Sequence, residues 1–260
     1  MGFIDRLRNA WNILKTSLLF IGRDKSLLII PFLLILCAIL MILFFIFGFG
    51  WFTASHDVHY TNIQVYGVLI LFLFISYLWS VFLGSAQAWM VYEVAQGRDA
   101  TLASGAQRAL QNIKDILAFA VVATIVDVII EALRGKQPTT NYGAEQIARN
   151  TAASFLGLGS RIMKKLVLPA MIVSERNFGE AVKQLREGIR AIPEIGAYEI
   201  GMRPLNIIYT FLYFGLAYAV GMYLHLVTIA GLIFIIGFIS QVILNIVIDQ
   251  TYYTLLYLTI

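Results

Sequence analysis

Charged residues are scarce in this chain. Only 13% of its 260 residues are Asp, Glu, Lys or Arg, whereas 60% are hydrophobic. A soluble domain carries about 25% charged residues. Several uninterrupted apolar runs also reach the roughly 20 residues that a helix needs to cross about 30 Å of hydrocarbon. The low charge therefore argues against a soluble domain and predicts a multi-pass membrane protein.

Cysteine and histidine are also rare, and this limits the chemistry. The single cysteine, Cys37, excludes a disulfide within the chain and argues against a thiolate metal site. The three histidines, His56, His59 and His225, fall in predicted outer turns, where we interpret them as solvated loop residues; a metal site is the weaker alternative. No catalytic constellation or phosphate-binding loop is present in the sequence. We therefore expect no enzyme activity and no cofactor.

The apolar runs predict six membrane spans. They cover about residues 26–52, 65–92, 115–133, 147–174, 205–224 and 228–249. The fourth span is the weakest, because its uninterrupted apolar part, Leu166–Ser174, is too short to cross a bilayer alone. The predicted fold class is an all-α membrane protein, with one integral domain over residues 1–260.

Basic residues predict the orientation of the spans. Five lie in Met1–Lys25, three in the link between spans 2 and 3, and five in the link between spans 4 and 5. The opposite side carries Arg134, Lys136 and Arg149. This asymmetry predicts that both termini lie in the cytoplasm. Because that arrangement needs an even number of spans, it supports counting the fourth.

Each of the three basic links also has helical periodicity. The apolar stripes are Phe3, Leu7, Trp11, Leu14 and Leu18; Leu102, Ala106, Ala109, Ile113 and Leu117; and Phe178, Ala181, Val182, Leu185, Ile189 and Ile192. We expect these helices to lie in the plane of the membrane surface, with the third ended by Pro193. An interfacial helix plus a helical hairpin thus recurs over about residues 1–96, 97–176 and 177–260, as three parallel repeats.

Three passages carry a resemblance to a known family. They are Trp11-Asn-Ile-Leu-Lys-Thr-Ser-Leu-Leu with Asp24-Lys-Ser-Leu-Leu-Ile-Ile-Pro31; Gly97-Arg-Asp-Ala-Thr-Leu-Ala-Ser-Gly; and Leu166-Val-Leu-Pro-Ala-Met-Ile-Val-Ser-Glu175 leading into Phe178-Gly-Glu-Ala-Val. Together they resemble a broad group of uncharacterised prokaryotic six-span membrane proteins, which is similar to the membrane domain of some glycerophosphoryl diester phosphodiesterases. The resemblance implies six spans with interfacial helices in a prokaryotic cytoplasmic membrane, and it implies no reaction. The soluble phosphodiesterase barrel has no counterpart in this sequence, so we do not expect that activity.

Charges at membrane depth concentrate in spans 3 and 4. Arg161, Lys164 and Lys165 share one face of span 4, and Asp127 and Glu131 share one face of span 3. Each cation would cost about 2.5–3.5 kcal/mol near the bilayer centre, so the cations need partners, water or a phosphate headgroup. Three interpretations stay open. They are a structural ion-pair cluster, a site for an anionic lipid headgroup, and a substrate or proton pathway.

Span 6 carries a second polar series. Gln241, Asn245 and Asp249 are spaced by four, which predicts either interhelical hydrogen bonds or a polar path shared with the span 4 cations. The apolar tail Thr251–Ile260 continues past this span, and we expect it to dock on a partner.

These patterns predict a non-enzymatic integral membrane protein that serves as a structural or accessory subunit and binds anionic lipid. The alternative is a transporter or channel for a small anion or lipid. The expected partners are membrane lipids, other membrane-protein subunits and a second copy of the chain. Nucleic acid is not expected, because the basic residues follow the predicted membrane surface.

Overall fold

The computed structural model describes residues 3–44, 47, 62–134, 153, 157, 165–188 and 192–259, and every regular element in these ranges is helical. The prediction of an all-α fold is confirmed for this part of the chain. The elements are α1 (Phe3–Arg23), a 3₁₀ turn (Lys25–Leu28), α2 (Ile29–Leu43), α3 (Asn62–Ala95), α4 (Leu102–Gln111), α5 (Ile113–Arg134), α6 (residues 165–173), α7 (Phe178–Gly188), α8 (Ile192–Tyr223) and α9 (Val227–Thr259).

Within the described ranges, five helical segments are long and apolar enough to cross a membrane. They are Lys25–Leu43, Ile70–Ala95, Ile113–Leu133, Pro204–Tyr223 and Val227–Thr259. Such a set is consistent with a multi-pass membrane protein and matches predicted spans 1, 2, 3, 5 and 6. Most of predicted span 4 lies outside the described residues, and its last part forms α6.

Helix α6 lies at the centre of the bundle rather than on its surface. Residues 166–172 are buried without exception, as expected for a helix that is apolar on all sides. The contact with α3 is close, because a Cβ atom on Gly84 would lie 3.1 Å from Cδ2 of Leu168. This helix is therefore enclosed by protein, which explains how an apolar segment too short to cross a bilayer finds an apolar environment.

Helices α8 and α9 form a hairpin that exposes most of its large apolar side chains over residues 204–238. The two helices approach closely at Gly237, where a Cβ atom would lie 2.5 Å from Cβ of Tyr213. Polar side chains add to this interface: the hydroxyls of Tyr209 and Ser240 are 2.8 Å apart, and Nε2 of Gln241 donates to the Asn206 carbonyl at 3.1 Å. The hairpin is thus held by close backbone packing and interhelical hydrogen bonds.

Helix α1 packs against α8 and α9. Its buried face is formed by Ala10, Ile13, Leu14 and Ser17, whereas Trp11 and Leu18 are about half exposed. The predicted stripe therefore shares only Leu14 with the buried face among these residues. The reason is that α1 docks on protein with one face only, so its remaining apolar side chains stay exposed.

The C-terminal part of α9 packs inside this chain. All residues from Thr251 to Leu256 are buried. The expectation that residues 251–260 dock on a partner is therefore wrong for this part of the tail. Its apolar side chains complete the chain's own core, together with those of α1 and α6.

We call the side of the bundle that carries α1, α4 and α7 the link side. Here Asp24 joins the first link to the second: its Oδ1 accepts from the Ser26 amide at 2.9 Å and its Oδ2 accepts from the Ala100 amide at 3.1 Å. The Ser26 hydroxyl also donates to the Ala100 carbonyl at 3.0 Å. Burial acts to raise the pKa of Asp24, but the hydrogen bonds from Ser26 and Ala100 outweigh it, so this pKa is lowered.

Arg108 makes a second connection on the link side, between α4 and the end of α6. Its Nε donates to the Ile172 carbonyl at 3.0 Å, and its guanidinium carbon lies 4.7 Å from the centre of the Trp89 ring. Nη2 lies 2.9 Å from Oε1 of Glu175 as an ion pair, with angles outside hydrogen-bond geometry. Arg108 therefore fixes the end of α6 against α3 and α4.

Candidate functional site

A cavity of about 690 Å³ lies between α2, α3 and α9, with α6 at one end. Ligand pockets in proteins measure about 300–1,000 Å³. Along α3 the lining extends from Phe72 to Gln87, which is about 22 Å at a rise of 1.5 Å per residue. The cavity is therefore elongated along α3, over a length comparable with much of the roughly 30 Å thickness of a hydrocarbon layer.

Small side chains on α3 make room for the cavity. Ser76, Ser80 and Gly84 line it at intervals of four residues, which places them on one helix face, and Gln87 follows one turn later. The opposite wall comes from α2 and is apolar, with Leu34, Ile35, Ala38, Met41 and Ile42 beside the single cysteine, Cys37. The cavity is thus an apolar slot along the helices, with a strip of small residues on one wall.

Gln87 is the most unusual side chain of the cavity. It is 0% exposed and lines the cavity, yet neither Nε2 nor Oε1 has a hydrogen-bond partner in the part of the chain that the structure describes. A buried polar group without a partner costs about 1–3 kcal/mol. A small rotation of the side chain into the cavity would present both donors and an acceptor to a polar group there.

A lysine–aspartate pair also lines the cavity, and Gln250, which follows Asp249, donates to the carbonyl of Gly84, one turn before Gln87. Nζ of Lys165, at the start of α6, lies 3.1 Å from Oδ1 of Asp249 on α9, and the two side chains are 24% and 38% exposed. The ammonium also donates to the Tyr253 hydroxyl at 3.2 Å and lies 4.3 Å from the centre of that ring. The positive charge is therefore balanced by a carboxylate and supported by an aromatic ring.

Three tyrosines surround this pair from the side of α8 and α9. The ring of Tyr198 stacks on that of Tyr252 at 4.1 Å between centroids and meets the Tyr253 ring edge-on at 5.5 Å. Tyr198 precedes the spanning segment of α8. Burial raises the pKa of its hydroxyl, and the neighbouring Asp249 carboxylate raises it further. The Tyr198 hydroxyl therefore stays protonated beside Asp249.

The structure brings together only part of the predicted charge cluster. Lys165 lines the cavity and pairs with Asp249, which had been assigned to a separate polar series. Asp127 is half-buried and Glu131 is exposed, both on α5, and neither lines the cavity. Arg161 and Lys164 lie outside the described residues. The pairing of these two cations with the acids of α5 therefore stays a prediction.

The polar series on α9 divides between two interfaces. Nε2 of Gln241 donates to the Asn206 carbonyl and to Oγ1 of Thr210 at 3.1 and 3.0 Å, towards α8, whereas Asp249 faces Lys165. Eight residues at 100° each turn the helix by about 80° beyond two full turns, so the two side chains point in different directions. Asn245 is half-buried between them and does not line the cavity.

The histidines are placed as follows. His225 lies in the turn between α8 and α9 with φ 53, and it is exposed. His56 and His59 lie outside the described residues. Among the residues that were placed, there is no group of three or more His, Cys, Asp or Glu side chains that could hold a metal ion.

Sequence reasoning missed Gln87 as a site residue. A signal was present, because Ser76, Ser80, Gly84 and Gln87 form a small and polar strip within an otherwise apolar span.

Comparisons with known proteins add no further assignment: no family model, no curated protein and no solved structure matches this chain.

Proposed function

We propose that this chain is a non-enzymatic integral membrane protein that binds a lipid-like amphiphile in the cavity between α2, α3 and α9. The observation that carries the proposal is the form of the cavity, a slot of about 690 Å³ with mostly apolar walls along its helices and with Gln87, Lys165 and Asp249 in its lining. An apolar chain along the slot and a polar group at Gln87, Lys165 and Asp249 would match both parts.

The polar part of the cavity lining is suited to binding rather than to catalysis. The charge of Lys165 is balanced by Asp249, and Gln87 is neutral. A general base or a nucleophile needs a group that is poised to take a proton or to attack, and a paired lysine and an amide are neither. We accordingly propose a structural or accessory role in a membrane assembly, in which the bound lipid fills the space between α2, α3 and α9.

The same proposal includes the finer architecture. We propose six crossings, with the region before α6 completing the fourth, and three parallel repeats of an interfacial helix and a hairpin. The basic links support a cytoplasmic position for the link side and for both termini.

Cys37 can be replaced to give a cysteine-free chain, in which single cysteines at Gln107 and Tyr223 would report on opposite sides. We expect a membrane-impermeant maleimide to label Tyr223→Cys, but not Gln107→Cys, in intact cells. Labelling of Gln107→Cys alone would contradict this orientation.

Lipid retention tests the binding proposal. The protein is purified in polymer-bounded native membrane discs, transferred to detergent, washed, and examined by native mass spectrometry. We expect about one retained lipid per chain. Ser80→Phe fills the small strip of α3 and should abolish retention, because the aromatic ring would occupy the space of the ligand.

Ile208→Phe is the matched control, because this residue of α8 is exposed and does not line the cavity. It should retain lipid as the wild type does. The proposal fails if the washed wild-type protein carries no lipid, or if Ser80→Phe retains as much lipid as Ile208→Phe while both remain folded.

A further inference from the structure

We propose that Gln87 is the headgroup-binding residue of this cavity, and that the ligand carries an uncharged headgroup with both a hydrogen-bond donor and an acceptor, such as the hydroxyl and ester groups of a diacylglycerol. This inference rests on the proposed lipid-binding function and specifies its ligand. It assigns a role to a side chain that the packing of the fold leaves without a partner.

The first argument is the state of the Gln87 amide. Both of its polar atoms are buried and unpartnered among the described residues, and the side chain lines the cavity. Nearby Gln250 shows the contrasting case, because its Nε2 donates to the Gly84 carbonyl at 3.1 Å and so joins α9 to α3. A glutamine that only held helices together would be bonded in the same way. The donors and the acceptor of Gln87 are instead available to a group inside the cavity.

The second argument is charge. Lys165 and Asp249 line the same cavity as Gln87 and are 3.1 Å apart, so this pair contributes no net charge. An anionic headgroup beside this pair would meet Asp249 as well as Lys165, and it would also lose its hydration. An uncharged group avoids the repulsion by Asp249, loses less hydration free energy, and gains hydrogen bonds from Gln87. The described part of the site therefore favours a neutral lipid over an anionic one.

The third argument is the position of Gln87 along the cavity. It lies one turn beyond Gly84, whose carbonyl accepts from Gln250 of α9, and Phe72 lies about 22 Å away at the other end of the α3 lining. A headgroup at Gln87 would place its apolar chains along Gly84, Ser80 and Ser76 towards the membrane interior. The polar and apolar parts of one ligand thus fall on matching walls.

The experiment uses the full chain and its own cysteine. Cys37 lines the cavity, so a bound lipid should slow its reaction with a membrane-permeant maleimide. The delipidated protein in detergent is titrated with 1,2-dioleoylglycerol and, separately, with dioleoylphosphatidylglycerol, which has the same chains and an anionic headgroup. We expect dioleoylglycerol to protect Cys37 at lower concentration than dioleoylphosphatidylglycerol.

Gln87→Leu separates the headgroup assignment from the lipid-binding proposal. It should weaken protection by dioleoylglycerol about tenfold, the equivalent of one or two lost hydrogen bonds. It should also raise the unfolding temperature of the lipid-free protein, because two unpartnered polar atoms leave the core. Gln107→Leu, a change at an exposed residue of α4, should do neither.

Each other outcome has a definite meaning. If Gln87→Leu binds dioleoylglycerol as the wild type does, or unfolds at a lower temperature, the headgroup assignment is wrong. If dioleoylphosphatidylglycerol protects better, the uncharged headgroup is wrong, although the cavity still binds lipid. If neither lipid protects Cys37 and the washed protein retains none, the lipid-binding function fails as well.

Discussion

Lys165 Nζ lies 3.1 Å from Asp249 Oδ1, and this contact joins α6 to α9 across 84 residues of sequence. The pair is less than half exposed and lies at the end of a cavity that is otherwise mostly apolar. A lysine in such a place needs a counter-charge, since its desolvation costs several kcal/mol. Asp249 and the Tyr253 ring supply that stabilisation, so α6 is held at its first described turn by electrostatics and at its other end by Arg108.

Asp249→Asn should destabilise the protein, because it leaves the ammonium of Lys165 without its counter-charge. The pair is only partly buried, so we expect a loss of about 1–3 kcal/mol, between the values for exposed and buried pairs. Adding Lys165→Met should recover part of this loss, because the uncompensated charge is removed. Thermal unfolding in detergent measures the effect, with Lys114→Met at an exposed position as the control. If the stability lost in the double variant equals the sum of the losses in the two single variants, the pair is not coupled.

Asp24→Asn should weaken the connection between the first two links. The substitution keeps the shape of the side chain but removes the charge that strengthens hydrogen bonds from the amides of Ser26 and Ala100, so we expect a loss of about 1 kcal/mol near pH 7. The neighbouring exposed Asp99→Asn should change stability much less.

The pH dependence of the Asp24 contribution has a definite sign. The pKa of Asp24 is lowered in the folded protein, so its carboxylate stabilises the fold above the ordinary carboxyl pKa of about 4. This contribution is lost as the pH falls through the lowered folded value. The difference in unfolding temperature between wild type and Asp24→Asn should therefore shrink from pH 7 towards pH 3. A difference that grows on acidification would contradict the assignment.

The apolar helices that are long enough to cross a membrane were predictable, because hydrophobicity is a property of each residue and can be summed along the sequence. The five apolar helical segments overlap predicted spans 1, 2, 3, 5 and 6 for this reason, although the last one continues beyond predicted span 6 to Thr259. The centre of the bundle was not predictable in the same way. Residues 166–172 are as apolar as a lipid-facing segment, and only the packing of α3 and α4 around them shows that they are enclosed by protein.

The sequence identified some residues of the candidate site, but not which of them are in contact. Lys165 was recognised as a costly cation at membrane depth and Asp249 as part of the polar series of span 6, but sequence spacing within one helix cannot say which helices meet. The partner of Lys165 is an acid 84 residues away, whereas the acids of the neighbouring span were expected. Gln87 was missed because a single amide in an apolar span has no motif. Its lack of hydrogen-bond partners among the described residues can be seen only from side-chain positions.

Gly237→Ala should destabilise the α8–α9 hairpin. The added Cβ would lie 2.5 Å from Cβ of Tyr213, which is rigidly attached to the backbone, so the helices must separate. We expect a loss of about 1–3 kcal/mol, as for other overpacked interfaces. Gly231→Ala on the same helix has nothing within 4 Å and should be neutral or slightly stabilising through helix propensity. Comparison of the two variants by thermal unfolding tests the packing, and equal behaviour would contradict it.

Arg108 and Glu175 should show very different sensitivities although they form one ion pair. The Arg108 side chain is only 12% exposed, donates to the Ile172 carbonyl and lies over Trp89, so Arg108→Lys should cost about 1–2 kcal/mol despite keeping the charge.

The Glu175 side chain is 72% exposed, so its charge adds little to the stability of the fold through the ion pair with Arg108. Glu175→Gln should therefore cost less than about 1 kcal/mol. Its backbone φ of 55 is unfavourable for a residue with a Cβ, so Glu175→Gly should recover about 1 kcal/mol of strain and be neutral or stabilising. Unfolding temperatures should therefore rise in the order Arg108→Lys, Glu175→Gln, Glu175→Gly. If Glu175→Gly were the least stable of the three, the ion pair, rather than the carbonyl and ring contacts of Arg108, would be what holds the end of α6.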